Sequence, residues 1–278
     1  MDIYEELVRL RRAGESCALA TIVEVRGSIP SYETAKLLVR GDGSMAGTIG
    51  GGCVEAEVYS AAREVIRTGQ PRRLNFTLNQ DAAGDNGLIC GGQQEVFIEP
   101  VLPQPRAFIF GAGHISKSLS AVATLAGFDT VVIDDRDSFA NRERFPEAGE
   151  VLAGEYEEIF PKLPVNASSF IVIVTRGHRD DLRVLRWALT TPARYIAMIG
   201  SRRKVISVVK ELEKEGVAVD RPERLFAPMG LDIGAVTPEE IAVAVVAEMI
   251  AVRREADSGW RTASKSLHGG TGREARGK

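Results

Sequence analysis

Histidine and cysteine are scarce in this 278-residue chain, at three residues each, and no two cysteines stand close together. An odd count without a close pair argues against a disulfide framework and against a zinc site built from cysteine alone. Long apolar runs are missing as well. The longest, Ile241 to Ala247, falls far short of the ~20 residues that a membrane helix needs, so no membrane partner is expected. The opening Met1-Asp2-Ile3-Tyr4-Glu5-Glu6 lacks the basic start and apolar core of a secretion signal, and a cytoplasmic location is expected. Positive charge is not in excess: the formal net charge is −3, which leaves no basic footprint for nucleic acid. What the chain does have is 44% hydrophobic residues, enough for a full core, and 28 glycines gathered into recognisable turns.

The pattern divides in two. Residues 1–100 show a short helix (Ile3 to Arg12), a helical pattern from Val54 to about Ile66, and strand-like runs at Cys17 to Val25, Lys36 to Val39 and Glu95 to Ile98. Pro100, Pro103 and Pro105 then stiffen a linker over 101–106, because proline interrupts strand ladders. Over 107–255 strands alternate with helices, which calls for a parallel sheet covered on both faces. Thr237-Pro238-Glu239-Glu240 supplies an N-cap, a proline at the first helical position and an acid three residues after the cap, opening a last helix to about Arg254. Residues 256–278 are polar and aperiodic and read as a flexible tail. The expected fold is α/β, a mixed α+β domain followed by a Rossmann-like doubly wound sheet.

One thiol has an unusual setting. Gly50, Gly51 and Gly52 directly precede Cys53, and Cys53 directly precedes a helical pattern. Glycines admit positive φ and close approach, and a helix start offers unpaired N–H groups and partial positive charge, so a thiol there ionises more readily. Cys90 sits in a second glycine turn, Leu88-Ile89-Cys90-Gly91-Gly92, whereas Cys17 lies in an alternating strand and reads as structural. The alternative for Cys53 and Cys90 is that both pack as small buried hydrophobes.

The second domain opens on a dinucleotide fingerprint. A strand at Ala107 to Phe110 runs into Gly111-Ala112-Gly113-His114-Ile115-Ser116, and the next strand ends at Asp134-Asp135-Arg136. Gly111 makes the tight turn, Gly113 admits a pyrophosphate to the helix start, and the acid accepts from a ribose hydroxyl. Ser116 stands where a third glycine or alanine is usual. Thr175-Arg176-Gly177-His178 and Gly200-Ser201-Arg202-Arg203-Lys204 follow later strands and face the same cleft. His114 and His178 are candidate functional imidazoles, with a satisfied structural histidine as the alternative for each. Ser201, Arg202 and Lys204 resemble an anion site, with a solvated helix cap as its alternative, and Asp180 and Asp181 read as caps.

Taken together these motifs resemble the XdhC/CoxI family, the xanthine dehydrogenase accessory factors. The resemblance rests on Gly27-Ser28-Ile29-Pro30, the stretch from Gly47 to Glu55, Cys90-Gly91-Gly92, the turn at Gly111 to Ser116, and Ile199 to Lys204. Its most specific piece is Ala227 to Ala235 followed by Thr237-Pro238-Glu239-Glu240. The resemblance implies an XdhC-type first domain and a protein that binds molybdenum cofactor, as molybdopterin or its cytosine dinucleotide. It also implies sulfuration of that cofactor with a cysteine desulfurase, insertion into a target molybdenum hydroxylase, and a homodimer. Cys53 is then the candidate molybdenum contact and Cys90 a weaker one, soft metal favouring thiolate. One stretch departs from the family: where a basic residue and then glycine, alanine and methionine are usual, this chain reads Ser31-Tyr32-Glu33-Thr34-Ala35-Lys36-Leu37. Two other readings remain, an NAD(P)-dependent oxidoreductase using His178 or Cys53 as acid, base or nucleophile, and a cofactor-free docking scaffold.

Overall fold

The computed structural model describes residues 2–29, 31–77, 92–256 and 258–267. The chain splits into two compact units, Met1–Pro103 and Gln104–Lys278. Among the described residues no helix is long and apolar enough to cross a membrane.

The first unit is an antiparallel sheet with a helix on each face. Its elements are α1 (Ile3–Ala13), β1 (Cys17–Arg26), β2 (Lys36–Arg40), β3 (Met45–Gly47), α2 (Gly52–Thr68), β4 (Arg72–Thr77) and β5 (Gln93–Val101), and the strands lie in the order β3-β2-β1-β5-β4. Alternation in β1 explains the layering. Ala18, Ala20 and Ile22 pack under α2 with Val58, Ala62 and Val65, while Cys17 and Leu19 pack under α1 with Leu10. The sequence pattern marks β1, β2 and β5 but not the short β3 or the half-exposed β4.

The departure from the family pattern has a backbone consequence. Thr34, within this stretch, holds φ at +72°, the left-handed region that a β-branched residue enters only with strain. Its N–H donates to the Ile22 carbonyl at 2.9 Å, which fixes it there. Thr34→Gly is therefore expected to raise stability by about 1 kcal/mol, read as a higher urea midpoint at unchanged slope. A lower midpoint would show that the hydroxyl or methyl contributes more than the strain costs.

The second unit is a six-stranded, wholly parallel sheet. Its strands are β6 (Arg106–Phe110), β7 (Asp129–Asp134), β8 (Glu150–Ala153), β9 (Ser169–Ile173), β10 (Tyr195–Met198) and β11 (Leu225–Phe226), in the order β11-β10-β9-β6-β7-β8. This is the doubly wound order, whose direction reverses between β6 and β9. Helices α3 (His114–Leu125) and α7 (Pro238–Arg253) cover one face, and α4 (Tyr156–Ile159), α5 (His178–Thr190) and α6 (Arg202–Lys214) the other. Ala107 and Ile109 feed the first layer, Phe108 and Phe110 the second, which is why the central strand is apolar throughout. The expected start of α7 is present in full: Thr237 accepts from the Glu240 N–H and Glu240 answers with its carboxylate.

The expectation of a loose tail beginning at residue 256 is corrected as far as Leu267. Ser258–Ala263 forms a 3-10 turn, Ser264 bridges to Leu231, and the Lys265 and Leu267 N–H groups donate to the carbonyls of Gly230 and Ala227. These are tertiary backbone contacts that leave no period in the sequence.

Candidate functional site

In the first unit, α2 opens on a turn with three successive positive φ angles, +119° at Gly50, +76° at Gly51 and +66° at Gly52. Cys53 is the second residue of the helix and is exposed. No side chain caps the helix start. A Cβ built on Gly51 would have no atom within 4 Å, so a bound group has room to reach the open N–H groups beside the thiol. Glu55 braces the turn from behind, accepting from the Thr48 hydroxyl at 2.7 Å.

Cys17 is the opposite case. It is buried, and burial pushes its thiol up to about 11. At pH 8, brief iodoacetamide treatment followed by peptide mapping is expected to find Cys53 alkylated and Cys17 intact until the chain is unfolded. Equal labelling of the two would contradict this placement. Cys90, with its flanking Gly91, lies outside the described residues. Among the described residues no group of three or more His, Cys, Asp or Glu side chains is disposed to hold a metal ion. A metal at Cys53 would thus meet one thiolate from this turn.

In the second unit the carboxyl ends of the strands gather the remaining candidates. Gly111 follows β6 at φ +102°, and a Cβ there would stand 2.4 Å from the Val174 carbonyl oxygen, so only glycine fits. Gly113 caps α3, and a Cβ there would have no atom within 4 Å. Gly177, which caps α5 after β9, is equally open. Neither helix has a side-chain cap. Two uncapped helix starts therefore flank the point where the strand order reverses, an arrangement suited to phosphate groups.

The acids after β7 divide their roles. Asp134 is buried, accepts from the Ala112 N–H at 2.7 Å and pairs with Arg136 at 2.8 Å. Although burial opposes it, the donors from Arg136 and Ala112 leave its pKa below the ordinary carboxylate value. Asp134 thus locks the glycine turn and has no face left for a ribose. Asp135 is the accessible acid. It pairs with Arg176 at 2.7 Å, and burial together with its neighbour Asp134 raises its pKa. Arg136 lies 3.8 Å over the Phe139 ring, and Arg144 donates to the Ala112 carbonyl at 3.3 Å. Neither Phe139 nor Arg144 carries a motif signal.

The other candidates are placed differently from one another. His114 is exposed at the first residue of α3. His178 bonds Glu211 of α6 at 2.8 Å, which ties α5 to α6. The anion site read at Ser201, Arg202 and Lys204 is reduced to Arg202. Ser201 accepts from the Lys204 N–H as an ordinary cap, and the Lys204 ammonium pairs with Asp181. Asp181 is completely buried and also accepts from the Thr175 hydroxyl at 2.6 Å. A buried carboxylate needs such partners, so Lys204 neutralises the interior.

The residues that build the two glycine turns fall in segments shared with known proteins. The XdhC Rossmann domain pattern matches residues 107–249, and that of the XdhC and CoxI family matches residues 10–77. The chain belongs to the XdhC and CoxI family. Escherichia coli K12 holds an uncharacterized protein, YqeB, 35% identical over 260 residues, covering 93% of this chain and 48% of that one. The molybdenum cofactor insertion chaperone PaoD of the same strain is 25% identical over 88% of this chain and 87% of its own. A Bacillus subtilis 168 protein named as a probable xanthine dehydrogenase subunit is 29% identical over 57% of this chain and 46% of that one. This XdhC-family chain thus spans about half the length of two of these relatives, at 48% and 46%. A crystal structure named as a xanthine dehydrogenase from Bacillus halodurans shares the fold, with TM-score 0.50 and 24% identity over 95% of this chain and 98% of that one.

Proposed function

We propose that this chain is an accessory protein that carries molybdenum cofactor to a xanthine dehydrogenase-type molybdenum hydroxylase. The observation that carries the reading is the exposed Cys53 at an uncapped helix start behind three positive-φ glycines, inside the segment that matches the family. A thiolate suits the soft molybdenum–sulfur end of the cofactor, and the open N–H groups suit its phosphate. The relative named as a molybdenum cofactor insertion chaperone supports the same role. The cofactor, as molybdopterin or its cytosine dinucleotide, is cargo here, and the chain acts by holding and shielding it during sulfuration by a cysteine desulfurase. The glycine turn after β6 takes a phosphate or nucleotide, such as an NAD(P)-type molecule.

Molybdenum and pterin content per chain tests this, on wild type and Cys53→Ala purified without oxygen from cells that make the cofactor. Wild type is expected to retain both and the variant to lose at least about tenfold of its occupancy with an unchanged melting curve. Equal occupancy would remove Cys53 from the reading. Absence of both from wild type would remove the carrier role itself.

A further inference from the structure

The amino-terminal edge of the parallel sheet, opposite the glycine turn after β6, carries an open cavity of about 470 Å³. Its lining residues Arg194 and Arg224 directly precede the start of β10 and β11. That volume lies within the ~300–1,000 Å³ typical of small-molecule sites. Four arginines, Arg194, Arg221, Arg224 and Arg261, share the wall with two glutamates, Glu223 and Glu255. Glu255 is taken by Arg194 at 2.9 Å.

Arg224 sits in this wall only 8% exposed. Its terminal nitrogens donate to the carbonyls of Thr191, Ala193 and Leu189, closing the end of α5, but its Nε is buried without a partner. Burial and then the like charge of Arg221 push its pKa below the ordinary arginine value, and Glu223 and Asp220 offset only part of this. The guanidinium of Arg224 lines the cavity beside the exposed cation of Arg221, and a guanidinium fork matches phosphate oxygens, so the pair is suited to receive an anion. The same cavity has an aromatic wall. Trp260 stacks on Phe226 with centroids 6.0 Å apart, and the Arg261 guanidinium lies 5.0 Å from the indole ring.

We propose that this cavity binds a small phosphorylated compound bearing a flat ring, of mononucleotide size, with Arg221 and Arg224 on the phosphate and Trp260 against the ring. The site stands apart from the glycine turn after β6, on the other edge of the sheet, and does not depend on the carrier reading.

Calorimetry with AMP, ribose 5-phosphate and inorganic phosphate tests it on the full chain. Arg221 is exposed, so Arg221→Ala is expected to leave the melting temperature unchanged while weakening AMP at least about tenfold. In Gly113→Asp, which fills the opening beside α3, the part of AMP binding that depends on Arg221 is expected to persist. Wild type should bind AMP more tightly than ribose 5-phosphate, and that more tightly than inorganic phosphate. The proposal is overturned by no measurable heat with AMP, by AMP binding no tighter than inorganic phosphate, or by a loss of affinity in Gly113→Asp but not in Arg221→Ala.

Discussion

Glu248→Ala is expected to lower stability by about 3–5 kcal/mol, because two buried donors and one part-buried donor lose one acceptor together. The Glu248 carboxylate accepts from the Tyr195 hydroxyl at 2.7 Å, the Gly230 N–H at 2.9 Å and the Ser264 hydroxyl at 2.5 Å. It thereby ties α7 to β10, to the turn after β11 and to the segment that follows the last helix. Glu248→Gln should cost about 1 kcal/mol or less, since an amide oxygen can still accept from Tyr195 and Gly230, and the Ser264 hydroxyl can turn to accept. Urea midpoints at neutral pH separate the two outcomes. A glutamine variant as unstable as the alanine variant would mean that the negative charge, rather than its acceptor geometry, holds the segments.

The pH dependence of the same pair has a definite sign. Burial raises the Glu248 pKa above 4.5 in spite of its three donors. The folded state therefore keeps this proton longer than the unfolded chain. The associated stability is complete below the unfolded value of about 4.5 and is lost as pH rises through the higher folded value. Glu248→Gln has no such proton to lose, so wild type should fall in stability relative to it as pH rises from about 4 toward neutrality. The Tyr195 hydroxyl stays protonated throughout, since burial and then Glu248 hold its pKa well above the ordinary value.

Glu248 also shows what kind of information a sequence holds. It is a lone acid in the apolar run of α7, between Ala247 and Met249, and an acid in such a place has to be answered. Its partners, though, come from residues 53, 18 and 16 positions away, and nothing local points to them. Lys204 is hidden for the same reason. Beside Arg202 and Arg203 it reads as an ordinary charge run, and only the buried Asp181 on another helix gives it an interior role. The parts that were legible are those set by short-range rules: two-faced alternation in β1, the capping box at Thr237, and the glycine turn between β6 and α3. Short strands such as β8 and β11, at four and two residues, have too few positions to show a period. Which acid a ribose could reach was set by depth: Asp134 faces the Ala112 N–H, and only its neighbour Asp135 remains accessible.

The glycine turn after β6 yields the sharper contrast, because the same substitution two residues apart should produce opposite signatures. Gly111→Ala must place a methyl group 2.4 Å from the Val174 carbonyl oxygen while holding φ at +102°, and the three nearest atoms it would meet are all backbone. A loss of about 3 kcal/mol or more is expected, seen as a lower urea midpoint, together with a distorted turn. Gly113 has φ −77° and open space around a built Cβ, so Gly113→Ala should fold with stability within about 0.5 kcal/mol of wild type. The space its methyl group enters is the space through which a phosphate would reach the α3 amides. Binding of an ADP-ribose probe should therefore weaken in Gly113→Ala by about tenfold or more, with the melting curve unmoved. If Gly113→Ala were to bind the probe as wild type does, the uncapped start of α3 would be a structural feature of the fold, and the phosphate of a ligand in this cleft would have to be sought at Gly177, which caps α5.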